Sequence, residues 1–216
     1  MSARQQLSRA AEFALLFLIA PIALWWVGWA GGEVPVVPIL VLLGTGVGAY
    51  LVWSAPAELR ASLSAPWSRR ELLRIGLQLC VGAALLLGYV LWASPERLFD
   101  LPRERPATWM SLLALYPLAS VLPQEVLFRA FFFQRYGPLW SGVVPRILVS
   151  GLIFGLAHLL YGSWLTVGLS VVGGTLFSWT FVRTGSLLLV ILEHSAYGAL
   201  LFTIGLGRLF YVGPWP

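Results

Sequence analysis

Seven long apolar stretches, separated by short polar segments, dominate the chain. They cover residues 12–30, 34–54, 74–93, 107–133, 143–161, 164–182 and 185–206. A helix needs roughly 20 apolar residues to cross the hydrocarbon core of a bilayer, and every stretch comes close to that length or exceeds it. The pattern predicts an all-α fold: a polytopic membrane helix bundle with about seven transmembrane helices, within a range of six to eight.

The fourth stretch is longer than one span needs and contains Pro117 and Pro123. Proline lacks the backbone N–H and clashes with the preceding helical turn, so this helix is predicted to be broken or kinked. Gly168, Gly173 and Gly174 on the sixth stretch predict close helix packing, as small residues do in membranes. No internal repeat divides the chain, and residues 1–216 are predicted to form a single integral membrane domain.

Composition agrees with a membrane protein and argues against nucleic-acid binding. Of the 216 residues, 59% are hydrophobic and only 11% are charged, whereas a soluble domain carries about 25% charged residues. The net charge is +5. The basic residues lie mostly in short loops, without runs interleaved with aromatic residues, so a nucleic-acid partner is not expected. The expected surroundings are a lipid bilayer.

The distribution of arginine predicts the orientation, because loops rich in basic residues stay in the cytoplasm. With a cytoplasmic N-terminus, nine arginines face inside and four face outside. The inside set is Arg4, Arg9, Arg60, Arg69, Arg70, Arg74, Arg135, Arg146 and Arg183, and the outside set is Arg97, Arg103, Arg105 and Arg208. Lysine is absent, which fits a GC-rich bacterial genome. We therefore expect a multi-pass protein of a bacterial inner membrane with its N-terminus in the cytoplasm.

A few ionisable residues lie inside the apolar stretches, where they are costly and usually serve function. Glu125 and Arg129 are four residues apart, and Glu193, His158 and His194 occupy later stretches. Glu125 and Arg129 could simply form an ion pair along one helix, and each histidine could be a packed residue bonded to backbone. A carboxylate and two imidazoles on separate helices are also the groups that activate water and stabilise an oxyanion.

Three motifs give these residues an order. They are "QEVLFR" at 124–129, "FGLAH" at 154–158, and a histidine, His194, inside a later apolar helix. The set resembles the CPBP family of intramembrane proteases, which includes prenyl-protein CAAX endopeptidases and bacteriocin-processing relatives. The family pattern is Glu-Glu-x-x-x-Arg, then Phe-x-x-x-His, then His-x-x-x-Asn. The resemblance covers about residues 107–206, the expected catalytic half.

The resemblance implies a role for each matching position in the first two motifs. The first Glu of the family, its general base, falls on Gln124; the second falls on Glu125; and the Arg that braces them falls on Arg129. Phe154 and His158 match the second motif, whose histidine helps to position the attacking water. Gln124 departs from the pattern, because a neutral amide cannot take a proton from water.

Three explanations for Gln124 stay open. Glu125 takes over as base together with His158, or Glu193 supplies the missing carboxylate, or the chain is an inactive relative that still binds substrate. The third motif places His194 at the developing oxyanion and the family's Asn at Gly198, a second departure. Ser195, Tyr197 or backbone N–H groups could replace that Asn.

Together these features predict an intramembrane glutamic endopeptidase that cleaves a protein or peptide near its membrane-embedded end. In this prediction Glu125 and His158 activate water, His194 stabilises the oxyanion, and no cofactor is needed. A less favoured alternative is a zinc ion held by Glu125, His158 and His194, a permissible three-ligand set. Two non-enzymatic alternatives are a catalytically impaired relative acting as a membrane scaffold and, less favoured, a proton-coupled transporter. The oligomeric state is left open.

Overall fold

The computed structural model describes residues 2–211, and this part of the chain is helical and contains no strand. We number nine helices in chain order. They are α1 (Ala3–Trp29), α2 (Val36–Ser54), α3 (Pro56–Ser64), α4 (Arg69–Ala93), α5 (Asp100–Glu104), α6 (Pro106–Leu139), α7 (Val143–Ala157), α8 (Trp164–Thr184) and α9 (Leu187–Thr203).

The seven predicted apolar stretches all become helices. Six helices within the described residues are long and apolar enough to cross a membrane: α1, α2, α4, α6, α7 with its short extension to Tyr161, and α8. The seventh, α9, is apolar but shorter, with 17 residues. The prediction of a polytopic helical membrane protein is confirmed.

Helix caps extend two of the spans beyond the apolar stretches that predicted them. In α1, the Ser2 hydroxyl accepts a bond from the backbone N–H of Gln5, and the Gln5 side chain accepts one from the Ser2 N–H. This reciprocal capping box starts the helix in polar sequence. In α4, Ser68 caps the N–H of Glu71 at 3.1 Å. Capping, not hydrophobicity, therefore sets where these two helices begin.

The α6 helix passes both of its prolines without a break. Its hydrogen-bonding pattern becomes π-helical over Pro117–Val121 and again over Val126–Tyr136, with an α-helical turn, Leu122–Glu125, between them. A π-helical turn is wider than an α-helical one, and such segments are frequent at functional sites. The structure thus shows no break at either proline: widened turns carry the helix past them, and Gln124 and Glu125 lie in the α-helical turn between the widened segments.

Close contact between α7 and α8 depends on two glycines of α7. A Cβ atom at Gly151 would lie 2.2 Å from Thr175 Oγ1, and one at Gly155 would lie 2.2 Å from Val171 Cγ2. Neither position has room for a methyl group. Small residues allow helix backbones to approach closely in a membrane, where van der Waals packing drives association.

The three glycines of α8 that were predicted to serve packing differ in their surroundings. A Cβ atom at Gly174 would lie 2.8 Å from the Phe154 side chain, and one at Gly173 would meet the ring of Phe177 at an ordinary 3.4 Å. Around Gly168 there is nothing within 4 Å. Packing therefore explains Gly174, but it does not explain Gly168.

Aromatic side chains fill the core around α6. Buried rings from α1, α6, α7 and α8 pack together, including Phe17, Phe128, Phe131, Phe132, Phe154 and Phe177. Several pairs meet edge to face, the arrangement that aromatic quadrupoles favour. Arg129, His158 and His194 each lie against one or more of these rings.

Ion pairs connect helices at one end of the bundle. Arg135 of α6 lies 2.6 Å from Glu12 of α1, and Arg183 of α8 lies 2.8 Å from Glu71 of α4. Helix α7 begins at Val143, shortly after the end of α6 that contains Arg135, and it ends at Ala157. His158 follows Ala157 and therefore lies at the opposite end of the bundle. Which end faces the cytoplasm stays a prediction based on the arginine distribution.

Candidate active site

Glu125 and Arg129 form a fully buried pair on α6, and neither side chain is exposed. Glu125 Oε2 and Arg129 Nε lie 3.0 Å apart, although their alignment does not meet hydrogen-bond geometry. Arg129 Nη1 donates to the carbonyl oxygen of Phe128 at 3.2 Å and to the hydroxyl of Ser150 at 3.3 Å. The predicted ion pair is present, within one helix.

Aromatic rings complete the surroundings of Arg129. Its guanidinium carbon lies 5.1 Å from the ring centre of Phe154 and 5.8 Å from that of Phe177. A cation over a ring face is attracted by the ring quadrupole, and desolvation increases this attraction. Phe154, the aromatic residue of the second motif, therefore supports the cation that faces Glu125.

Both ring nitrogens of His194 have partners. Nδ1 lies 2.7 Å from Glu125 Oε1, and Nε2 lies 3.1 Å from the hydroxyl of Tyr116. The ring stacks on Phe177, with ring centres 4.6 Å apart. An ionised carboxylate only accepts hydrogen bonds, so Nδ1 donates to Glu125, and in the neutral ring Nε2 accepts from Tyr116. We call the sequence Arg129–Glu125–His194–Tyr116 the polar chain.

His158 ends α7 and is bonded to the backbone of its own helix. Its Nδ1 donates to the carbonyl oxygen of Phe154 at 2.7 Å. A carbonyl oxygen accepts only, so the proton of the neutral ring is on Nδ1 and Nε2 keeps its lone pair. The side chain is 9% exposed. His158 thus has a basic nitrogen that its own backbone bond leaves available.

Gln124, the residue before Glu125 on α6, is also buried. Its amide nitrogen donates to the hydroxyl of Ser120 at 2.8 Å, one turn earlier on α6. Its Oε1 atom is buried and accepts no hydrogen bond from any described residue. A buried amide oxygen without a partner is uncommon in folded proteins, and such atoms often bond to water or ligand.

Two cavities meet at His158. The first, of about 120 Å³, lies between α1, α2 and α6 and is apolar apart from Gln124, His158 and Tyr161. The second, of about 60 Å³, is lined by Tyr116, His158, His194 and Gly198 among other residues. Both exceed the roughly 10–15 Å³ that one water molecule requires. Among the described residues, His158 is the one that lines both, so it adjoins Gln124 in the first cavity and Tyr116 and His194 in the second.

Glu193 lies beside His194 in sequence but points elsewhere. It is 1% exposed and lines neither of the two cavities, and neither of its oxygens makes a hydrogen bond among the described residues. Thr180 and Arg74 are among the polar groups near its carboxyl group, and Arg74 Nη2 donates to Thr180 Oγ1 at 2.8 Å. The structure does not bring Glu193 to Gln124 or His158.

Tyr116 is a member of the polar chain that no sequence motif indicates. Of the residues considered as replacements for the family's Asn, Tyr197 packs toward Gly82 of α4, where its Cε1 lies 3.0 Å from the Cβ position. The hydroxyl of Ser195 is buried without a hydrogen-bond partner in residues 2–211. Neither bonds to His194. Tyr116 precedes Glu125 by about two and a half turns, and only the packing of α6 against α9 brings it to His194.

The zinc alternative would need Glu125, His158 and His194 to face one point. Within the described part of the chain, no three His, Cys, Asp or Glu side chains form a group that could hold a metal ion. Glu125 and His194 contact each other, whereas the Nδ1 of His158 is bonded to a carbonyl oxygen. Zinc stays a hypothesis that metal analysis of the purified protein can test.

Comparison with known proteins supports the resemblance read from the motifs. Residues 106–200 match the family model described as type II CAAX prenyl endopeptidase Rce1-like. The matched segment begins with the first residue of α6 and ends within α9, so it contains every residue of the polar chain as well as Gln124 and His158. This match confirms the resemblance to the CPBP family. Searches of curated proteins and of solved structures returned no match.

Proposed function

We propose, from the match of residues 106–200 to the Rce1-like family model, that this membrane protein is an endopeptidase. It hydrolyses a peptide bond near the membrane-embedded end of a protein or peptide substrate. The observation that carries the proposal is the place of His158: its free Nε2 atom belongs to the side chain that lines both cavities. One cavity is lined by Gln124, and the other is lined by Tyr116 and His194 of the polar chain.

In the proposed reaction, His158 is the general base. A water molecule between His158 and Gln124 gives one proton to His158 Nε2, while its other hydrogen bonds to Gln124 Oε1. The water oxygen attacks the carbonyl carbon of the substrate, and the electron pair of the C=O bond moves onto oxygen. When the C–N bond breaks, the proton held by His158 passes to the leaving nitrogen. A positioned base of this kind contributes typically 10²–10⁴-fold to the rate.

The role of Glu125 follows from its contacts. One oxygen faces His194 and the other faces Arg129, the side chain is fully buried, and it lines neither cavity. These contacts favour Glu125 as a positioning residue that fixes the orientation of His194, much as a carboxylate orients a catalytic histidine elsewhere. The alternative from the sequence, Glu125 as the base, requires its carboxylate to turn away from one of these partners.

Gln124 is expected to lower the rate of peptide-bond cleavage. The family's carboxylate at this position can accept a proton, whereas an amide can only orient water. The chain is therefore expected to be slower than a relative with Glu-Glu in the first motif. The same observation favours the second candidate function, a scaffold that binds a membrane-bound segment without cleaving it.

The first cavity indicates the kind of substrate. Its lining is apolar except at the end that contains Gln124, His158 and Tyr161, so an apolar segment or a hydrocarbon chain fits there with its polar bond next to His158. If the N-terminus is cytoplasmic, as we propose from the arginines, the His158 end of the bundle lies toward the non-cytoplasmic face of the inner membrane.

Mass spectrometry of membrane-protein termini, with and without this protein in the same cells, tests the function. We expect new termini with the parent protein, their loss with His158→Gln, and a higher rate with Gln124→Glu. Glu193→Gln is the matched control, because it neutralises a buried carboxylate that lines neither cavity, and it should leave the rate near that of the parent.

The outcomes separate the proposed roles. If Glu125→Gln abolishes cleavage but His158→Gln does not, Glu125 is the base. If neither the parent nor Gln124→Glu produces new termini, the endopeptidase proposal is refuted, and capture of an uncleaved membrane segment by crosslinking would then support the scaffold.

A further inference from the structure

The position of the family's Asn is filled from another helix. Gly198 follows His194 by one turn of α9. A Cβ atom at Gly198 would lie 2.1 Å from Cε1 of Tyr116, 2.6 Å from its Cζ and 2.7 Å from its hydroxyl oxygen. Atoms that are not bonded to each other cannot approach so closely. Any side chain at position 198 would therefore enter the volume that the Tyr116 ring already occupies, and the two groups exclude each other.

The ring of Tyr116 is fixed in that volume by its neighbours. It packs edge to face on Phe202, with ring centres 5.2 Å apart, and edge to face on His194, with ring centres 6.1 Å apart. Its hydroxyl lies 3.1 Å from His194 Nε2, and the residue lines the same cavity as His158. The hydroxyl thus lies beside His194, the residue that the third motif assigns to the oxyanion, and where a side chain at residue 198 would begin.

We propose that the Tyr116 hydroxyl is the hydrogen-bond donor to the oxyanion, in place of the amide that the CPBP pattern supplies from position 198. This inference rests on the proposed endopeptidase function. In the resting site the O–H donates to His194 Nε2. When the substrate carbonyl oxygen becomes negative, it is the stronger acceptor, because hydrogen bonds to ionised groups are roughly twice as strong as neutral ones. The O–H then turns about the Cζ–O bond toward it.

Two features of the polar chain suit Tyr116 to this role. The contact of Glu125 with His194 Nδ1 holds the imidazole still, so the hydroxyl has a fixed partner before the reaction. The stacked ring of Phe177 prevents His194 from tilting away. Only the hydroxyl hydrogen has to turn when charge develops, while the oxygen and both rings stay in place, and such limited reorganisation is the main advantage of an oxyanion hole.

The Tyr116→Phe variant tests the donor, because it removes the hydroxyl and keeps the ring that fits against Gly198. We expect new termini to form 10²–10³-fold more slowly, the usual loss for one oxyanion donor. Tyr197→Phe is the matched control: it removes a hydroxyl from a tyrosine on α9 that packs toward α4, and it should cleave at the parent rate. Tyr197→Phe should unfold at the parent temperature, and Tyr116→Phe slightly below it, because His194 Nε2 loses its hydrogen-bond donor.

A pair of exchange variants tests the shared volume. Gly198→Asn alone should lower thermal stability and cleavage, because the new side chain meets the Tyr116 ring. Tyr116→Ala alone should lose the donor. The double variant, Tyr116→Ala with Gly198→Asn, places the family's Asn in the space that the tyrosine ring has left. Its rate of cleavage should exceed that of each single variant by at least about tenfold, because losing one oxyanion donor usually lowers the rate by more than tenfold.

The outcomes distinguish this inference from the function on which it rests. If neither the parent nor Gln124→Glu produces new termini, the endopeptidase proposal fails and the role of Tyr116 fails with it. If the parent cleaves and Tyr116→Phe cleaves equally fast, only the role of Tyr116 is overturned. A double exchange variant no better than Tyr116→Ala would show that position 198 cannot supply the donor and would refute the replacement.

Discussion

Replacing Arg129 by Met measures what the buried ion pair contributes. The substitution keeps an unbranched side chain of similar length but removes the guanidinium group. Glu125 then has no cation opposite its Oε2 atom, and both side chains of the pair are fully buried in the parent. The contacts of Arg129 with Ser150 and with the rings of Phe154 and Phe177 are lost at the same time.

The expected loss of stability is large for a single substitution. Removing one partner of a buried pair typically destabilises by 3–5 kcal/mol, because the other charge is left without compensation. The lost cation–π contacts act in the same direction. The double variant, Glu125→Gln with Arg129→Met, leaves no buried charge at either position, so it should recover most of this loss. It should still cleave poorly, because Gln orients His194 less firmly than a carboxylate does.

The chain contains a matched control for this experiment. Arg135 lies on the same helix and pairs with Glu12, but these side chains are 26% and 32% exposed. Partly exposed pairs contribute about 0–1 kcal/mol. Arg135→Met should therefore cost much less than Arg129→Met, although both substitutions remove one arginine from α6.

Equilibrium unfolding in bicelles, for the parent, the single variants and the double variant, provides the free energies for a double-mutant cycle. The reasoning is refuted if Arg129→Met unfolds within about 1 kcal/mol of the parent, the range of an exposed pair. It is also refuted if the double variant is less stable than Arg129→Met. Either result would mean that Glu125 is not held as a buried charge by its neighbour.

Four further predictions concern the site and the packing that supports it. Gln124→Glu should raise the rate at which new termini appear by at least tenfold, because a carboxylate adds a second base. A rate equal to that of the parent would refute the expectation that Gln124 slows cleavage. His158→Gln should lower that rate by 10²–10⁴-fold with the unfolding temperature unchanged. Gly151→Ala should destabilise by about 1–3 kcal/mol through its clash with Thr175, whereas Gly168→Ala, with open space around it, should not. A chelator should leave cleavage unchanged, and loss of activity together with bound zinc in metal analysis would support the metal site instead.

Much of the fold could be predicted from the sequence, because bilayer thickness and backbone hydrogen bonding leave few alternatives. Long apolar stretches in a membrane must be helices that satisfy their own backbone groups, and all seven were found. Helix ends were less predictable. Caps such as Ser2 and Ser68 start two helices in polar sequence, and widened turns let α6 continue past Pro117 and Pro123. Both effects depend on local geometry that hydrophobicity does not report.

The sequence by itself determined which helix carries each polar residue and that Glu125 and Arg129 lie one turn apart, because spacing along a helix fixes its faces. Only the tertiary structure decided which side chains meet across helices. It joined His194 to Glu125, placed Tyr116 in the space that Gly198 leaves open, put His158 between two cavities and kept Glu193 apart from them. The physical reason is that contacts between helices depend on their rotation and separation, which close packing at glycines and the widened turns of α6 set together.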